Sequence, residues 1–187
     1  MEMKVIIELS NRHVHLTKET YDKLFDNPLT VKNYLSQTGQ FAANETVTIE
    51  KNGNEIKNVR IIGPLRKYDQ VEVSHADAFK VLKCNPPVRA SGDLNGAESI
   101  IIKTDKGQVE VNACIISQRH VHLNTKQASL LEVKDKQKVC IKVGGDKSGI
   151  MDVFIKVSDD GVFRAHIDTD DAHSFLINNE DEGILII

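Results

Sequence analysis

Most of the chain consists of short apolar-rich runs broken by turn residues, with a period nearer two than 3.6. Val5–Leu9 is almost entirely apolar, which predicts a strand buried on both faces. Glu45–Glu50 alternates, Asn52-Gly53 supplies a tight hairpin turn, and Ile56–Ile62 is the return strand, closed by Gly63-Pro64. Gln70–Ser74, Ser99–Lys103, Val109–Ile116, Lys138–Val143 and Gly183–Ile187 read as further strands. Asp152–Val157, the Asp159-Asp160-Gly161 turn and Val162–Ile167 read as another hairpin. Helical patterns are few. Lys18–Asp26 is one, and Ala76–Lys83 is another that Pro86-Pro87 forbids from continuing. A third starts at Asn124, where Gln127 fits a capping box. The pattern predicts a mainly-β protein, built as β-barrels or a sandwich with short helices.

A chain of 187 residues accommodates one larger domain or two small ones and can bury a core without disulfides. The formal charge of −3, the absence of Trp and the 5% aromatic content give no support to a nucleic-acid partner. No apolar run approaches the ~20 residues of a membrane helix, and the N-terminus reads as a strand rather than a signal peptide. Cys84, Cys114 and Cys140 form no CxxC, which fits a reducing, cytoplasmic setting without a disulfide framework. Cys114 and Cys140 sit in apolar runs and are expected in the core.

One motif changes the picture. Arg-His-Val-His-Leu occurs at Arg12–Leu16 and again at Arg119–Leu123, with similar flanks, and accounts for four of the seven histidines. On a strand, residues i and i+2 share a face, so His13 pairs with His15 and His120 with His122. Packing can explain a repeated Val and Leu but not two repeated histidines on a half-exposed face. Each pair is half of a metal site, and imidazole favours zinc, copper, iron or nickel over magnesium. His166, at a strand end, is the best further nitrogen ligand, and Glu72, flanked by valines, is the candidate carboxylate. Arg12 and Arg119 point away from their neighbouring histidines if the strands are regular. Arg60, Arg66 and Lys67 flank a turn and offer guanidinium groups suited to an anion. The repeat implies two related halves. No Gly-, Ser- or Pro-rich linker divides them, so they are expected to pack directly with a cleft between them. Two other readings stay open: a cupin-like single-metal enzyme, since His13, His15 and Glu19 match HxHxxxE, and a non-catalytic coenzyme A or metal-binding module.

Taken together, Ser10-Asn-Arg-His-Val-His-Leu16, Gly39-Gln-Phe-Ala-Ala43, Asn58-Val-Arg60, Gly63-Pro64, Gln70-Val-Glu-Val-Ser74, Pro86-Pro-Val-Arg89, Ser91-Gly-Asp-Leu94, Arg119-His-Val-His-Leu123 and His166-Ile-Asp-Thr-Asp170 resemble the PduL-type phosphate acyltransferases (phosphotransacylases), in family order over nearly the whole chain. The resemblance implies two packed β-barrels with short capping helices, the first strand joining the C-terminal barrel. It places one barrel at residues 12–117, with a small insertion around 27–44, and the other at residues 1–11 plus 118–187. It implies transfer of an acyl group from propanoyl- or acetyl-coenzyme A to phosphate, by direct attack, with two zinc ions per chain. His13, His15 and Glu72 would hold one zinc, and His120, His122 and His166 the other. Arg66 matches the catalytic, phosphate-binding arginine, and Ser10, Lys51, Arg60 and residue 173 match coenzyme A contacts. Position 173 is His where the family usually has Asn. Family members housed in bacterial microcompartments often carry an N-terminal targeting extension. None is visible before the first strand, so a free cytoplasmic enzyme is expected, with homo-oligomerisation left open.

Overall fold

The computed structural model describes residues 1–187. In chain order its first elements are β1 (Glu2–Ser10), β2 (His13–His15), α1 (Lys18–Leu24), β3 (Val31–Tyr34), β4 (Phe41–Lys51), β5 (Asn54–Gly63) and β6 (Gln70–Val73). A π-helical turn, Asp77–Leu82, leads to β7 (Val88–Arg89), β8 (Glu98–Lys103), β9 (Gln108–Ser117) and β10 (His120–Leu123). Then follow α2 (Thr125–Leu130), β11 (Lys138–Val143), β12 (Gly149–Val157), β13 (Arg164–Asp168), α3 (Thr169–Phe175) and β14 (Glu182–Ile186). The chain is mainly β, and it divides into two compact units, residues 12–117 and residues 1–11 with 118–187.

The first unit is a six-stranded barrel in the order β4-β5-β2-β6-β9-β8, closed by β8 pairing back to β4. β3 adds to β4 and β7 to β9 outside the ring. Asn52 and Gly53 both take positive φ, 53° and 75°, so the β4–β5 turn has the primed geometry that the strand twist favours. Val14, Ile49, Ile61, Val71, Ile100 and Ile102 fill the core. Helix α1 begins where the Thr17 hydroxyl accepts a hydrogen bond from the Thr20 amide.

The second unit is a closed barrel, β1-β13-β10-β12-β11-β14. Ile7, Val121, Ile141, Ile155 and Leu185 pack inside it. β1 thus joins the C-terminal half, running parallel to β13 and antiparallel to β14. The Asn124–Gln127 capping box forms as expected and starts α2.

Several expectations change. β1 buries Val5 and Ile7 but leaves Lys4 exposed and Ile6 and Glu8 half-buried, so only one of its faces is core. β12 and β13 are not a hairpin, because β10 lies between them, parallel to β12 and antiparallel to β13. Their connection crosses the end of β10: Ser158 donates its amide to the Leu123 carbonyl. At Gly161 an added Cβ would fall 2.5 Å from that carbonyl oxygen, so only glycine lets the turn pass. Cys114 is in the core, but Cys140 is half-buried, with its Sγ 3.5 Å from Asp152. The segment expected as a helix at Ala76–Lys83 is π-helical, and α3 follows β13 where no helix was expected.

The two barrels have the same pairing scheme. Each HxH strand lies between a parallel partner (β5 or β12) and an antiparallel one (β6 or β13). The antiparallel partner then pairs in parallel with β9 or β1. Val14 and Val121 enter the cores, so the histidines on either side of each stand on the opposite face of their strands.

Candidate metal centres and anion site

In the central barrel, β6 sets Glu72 opposite His13. His13 Nε2 lies 3.2 Å from His15 Nε2, and Glu72 Oε1 is 3.6 and 3.9 Å from the two. Two bonds of ~2.05 Å at a tetrahedral angle would hold their donor atoms about 3.3 Å apart, so this spacing fits ligands of one ion. His15 Nδ1 donates to the Ile62 carbonyl at 3.1 Å, which leaves Nε2 free to bind. Burial, then the charges of His13 and Arg66, push His15 protonation well below its ordinary range. Burial also opposes ionisation of Glu72, but His13 and His15 outweigh it and hold the carboxyl well below the usual range. A neutral imidazole and an ionised carboxylate are the states that cation binding requires.

A polar network backs this centre. Gln70, fully buried, shares a face with Glu72. Its amide donates to Glu72 Oε1 and to Ser91 Oγ, and its carbonyl accepts from the Gly92 amide at 2.7 Å. Arg66 Nη1 reaches Tyr68 Oη at 3.1 Å and the same Ser91 Oγ at 3.4 Å. The arginine proposed for phosphate is therefore tied, through Ser91 and Gln70, to the carboxylate proposed for metal. Sequence reasoning missed Gln70. The signal was present: a glutamine in place of an apolar residue, two positions from a candidate ligand.

In the C-terminal barrel, β13 sets His166 opposite His120. His120 Nε2 is 3.0 Å from His122 Nε2, and the ligating atoms of all three histidines lie within 4.8 Å of one another. His120 Nδ1 donates to the Gln118 carbonyl at 2.8 Å. His166 Nε2 is buried without a hydrogen bond, and a bound ion would satisfy that orphaned nitrogen. Burial, then His120 and His166, push His122 protonation down to about 2. Both donor sets suit a divalent first-row metal better than magnesium or calcium.

The repeated arginines have a shared task. Arg12 Nη1 meets Asp77 Oδ1 at 2.7 Å, and Arg119 Nε meets Asp171 Oδ2 at 3.4 Å. Each aspartate lies in the helical turn after the strand that carries the third ligand, so each pair fastens an HxH strand to that turn. Glu19 is not brought to His13 and His15. It is exposed on α1 and pairs with Lys23 at 2.8 Å, which removes the carboxylate that a cupin-like site needs.

The remaining candidates are spread out. Arg60 is in register with His13, but its guanidinium donates to the Ala43 and Asn44 carbonyls, both at 2.9 Å. Lys51 ends β4, whereas Thr46, the partner of Arg60, lies at the middle of that strand. Lys51 donates to Ser99 Oγ at 2.8 Å and lines a cavity of about 660 Å³ with Phe79, Lys83 and Cys84. In the other unit, Ser10 ends β1 in register with Asp168, and His173 is exposed on α3.

Comparison with known proteins bears on what these sites serve. A family model described as phosphate propanoyltransferase matches residues 6–178. A phosphate propanoyltransferase of Thermotoga maritima is 43% identical over 185 residues, covering 96% of this chain and 88% of the relative. One from Clostridioides difficile is 41% identical over 177 residues (92% and 84%), and one from Salmonella typhimurium is 39% identical over 170 (89% and 80%). Similarity of this extent, spanning both barrels and both HxH strands, shows that the chain belongs to the phosphate propanoyltransferase family of acyltransferases.

Proposed function

We propose that this chain is a zinc-dependent phosphate acyltransferase that converts acyl-coenzyme A and phosphate to acyl phosphate and coenzyme A. The observation that carries the reading is the pair of donor clusters, His13/His15/Glu72 and His120/His122/His166, in a chain of this family. A phosphate oxygen attacks the thioester carbonyl carbon, a C–O bond forms, the C–S bond breaks, and coenzyme A leaves as the thiolate. Zinc held by these two sets would supply Lewis acidity toward the sulfur and the carbonyl or phosphate oxygens. Arg66, oriented by Tyr68 and Ser91, offsets phosphate charge and aims the nucleophile. Ser10, Lys51, Arg60 and His173 are assigned to coenzyme A by family resemblance. Propanoyl is the acyl group named for the relatives. Acetyl differs by one methylene, worth only ~1–3 kcal/mol in a pocket, so both are expected as substrates.

The test is thiol release from propanoyl- and acetyl-coenzyme A, with and without phosphate, before and after chelation. Release should require phosphate, stop on chelation and return with zinc. Release without phosphate would make the protein a hydrolase, and binding without release would make it a coenzyme A-binding module.

A further inference from the structure

Beside His166 of the C-terminal centre stands a carboxylate, outside the set of three histidine donors that lie within 4.8 Å of one another. Glu8 on β1 is in register with His166 on β13, which is in register with His120 on β10. Registered residues on adjacent strands project to the same face, and the strands are ~4.8 Å apart. Glu8, His166 and His120 therefore form a row, with His122 beside it. Glu8 Oε2 lies 3.0 Å from His166 Nε2. That nitrogen is buried and makes no hydrogen bond, so the contact is not a donor aimed at an acceptor. Two donor atoms held this close without a proton aligned between them have the spacing of two ligands on one cation. The other carboxylate oxygen, Oε1, lies 3.4 Å from Arg164 Nε, which restrains the group.

The shared barrel scheme supplies a control. In the central barrel the position equivalent to Glu8 is Ile115, in register with Glu72. There the carboxylate comes from β6. In the C-terminal barrel an imidazole takes that place, and a carboxylate stands one strand further across. Each centre then has one carboxylate to set against a divalent charge.

We propose that Glu8 is a fourth protein ligand of the ion held by His120, His122 and His166. The inference rests on reading that set as a metal centre. A fourth protein ligand would lower the net charge at the ion, and a substrate oxygen would then add as a fifth ligand.

Cobalt(II) is titrated into full-length protein carrying His13→Ala and His15→Ala, so that one centre reports, and into the same protein with Glu8→Gln. With Glu8→Gln the visible spectrum should change and the ion should pass to a chromophoric chelator at least about 10-fold more readily. The melting temperature of the metal-free protein should stay within about 2 °C. An unchanged spectrum with affinity within about twofold would overturn the inference. So would tighter binding, the result if Glu8 only holds a proton on His166. A parent that binds no cobalt would overturn the three-histidine centre and the proposed function along with it. Should the variant fail to fold, a zinc-loaded crystal of the unaltered chain decides: a Glu8 oxygen about 2.0–2.2 Å from the ion is expected, and one beyond bonding distance overturns the proposal.

Discussion

At the scale of residues, the proposed chemistry depends on polar groups that buried partners hold in place. Gln70 is the clearest case, because three different groups use its side-chain amide. In Gln70→Ala, Glu72 loses its orienting donor, and the Gly92 amide and Ser91 hydroxyl each lose a partner. Leaving such groups buried and unsatisfied costs about 1–3 kcal/mol, and losing an outer partner of a metal ligand typically weakens the site 10–100-fold. The expected result is a lower melting temperature, weaker zinc retention against a chelator, and a raised KM for phosphate as Arg66 loses its fixed neighbour. Zinc retention equal to the parent's would show that Gln70 fills space without orienting Glu72.

At the scale of elements, short helical turns anchor the ligand strands, and their charges carry a pH signature. Asp171, in the first turn of α3, is partly buried beside the N-cap Asp168 and near Asp170 and Arg119. Burial, reinforced by Asp168, pushes its carboxyl up to about 6 despite Arg119. The folded chain therefore keeps a proton between pH ~4 and about 6 that the unfolded chain has already released. Folding takes up that proton, so stability falls as pH rises through this window. Asp171→Asn should flatten this slope. It should melt higher than the parent at pH 7.5, by about 1 kcal/mol once solvent screening at a partly exposed site is allowed for, and lose that advantage at pH 4. Both proteins are compared with metal removed, so that loss of bound metal at low pH does not enter and the histidines' own titration is common to both. A variant that melts lower than the parent at pH 7.5 would show that the Arg119 ion pair outweighs burial.

At the scale of the whole molecule, the two barrels repeat one design with exchanged strands. β1 runs directly into β2 yet pairs in the C-terminal barrel, and β9 runs directly into β10 yet pairs in the central one. In each barrel the centre bridges the HxH strand to its antiparallel neighbour. Metal at either centre would thus bind the folded chain alone and stabilise it by mass action. At 100 times Kd that is about 2.7 kcal/mol per site, or roughly 5–10 °C in a chain of this size. Chelation should lower Tm by that amount per centre, reversibly with zinc. The far-UV spectrum should persist at 25 °C, because the apolar cores contain no ligand. A Tm indifferent to chelator and to added zinc would count against both centres.

Much of this was legible in the order of residues, for local reasons. A two-residue period specifies strands, Asn52-Gly53 specifies its turn through positive φ, and Asn124 with Gln127 starts a helix by capping its own first amides. The repeated histidines disclosed two donor pairs because alternation alone puts i and i+2 on one face. What needed the tertiary structure was every relation between distant strands. The Asp152–Ile167 segment looked like a hairpin, yet β10 lies inside it, since which strand completes a barrel depends on closing the ring and not on proximity in the chain. Glu8 shows the same limit. Within Val5–Leu9 it is one acidic residue in an apolar run, and only the register of β1 against β13 sets its carboxylate beside His166. Local preference acts over a few residues, whereas a site assembled across three strands is decided by the pairing that buries the most apolar surface.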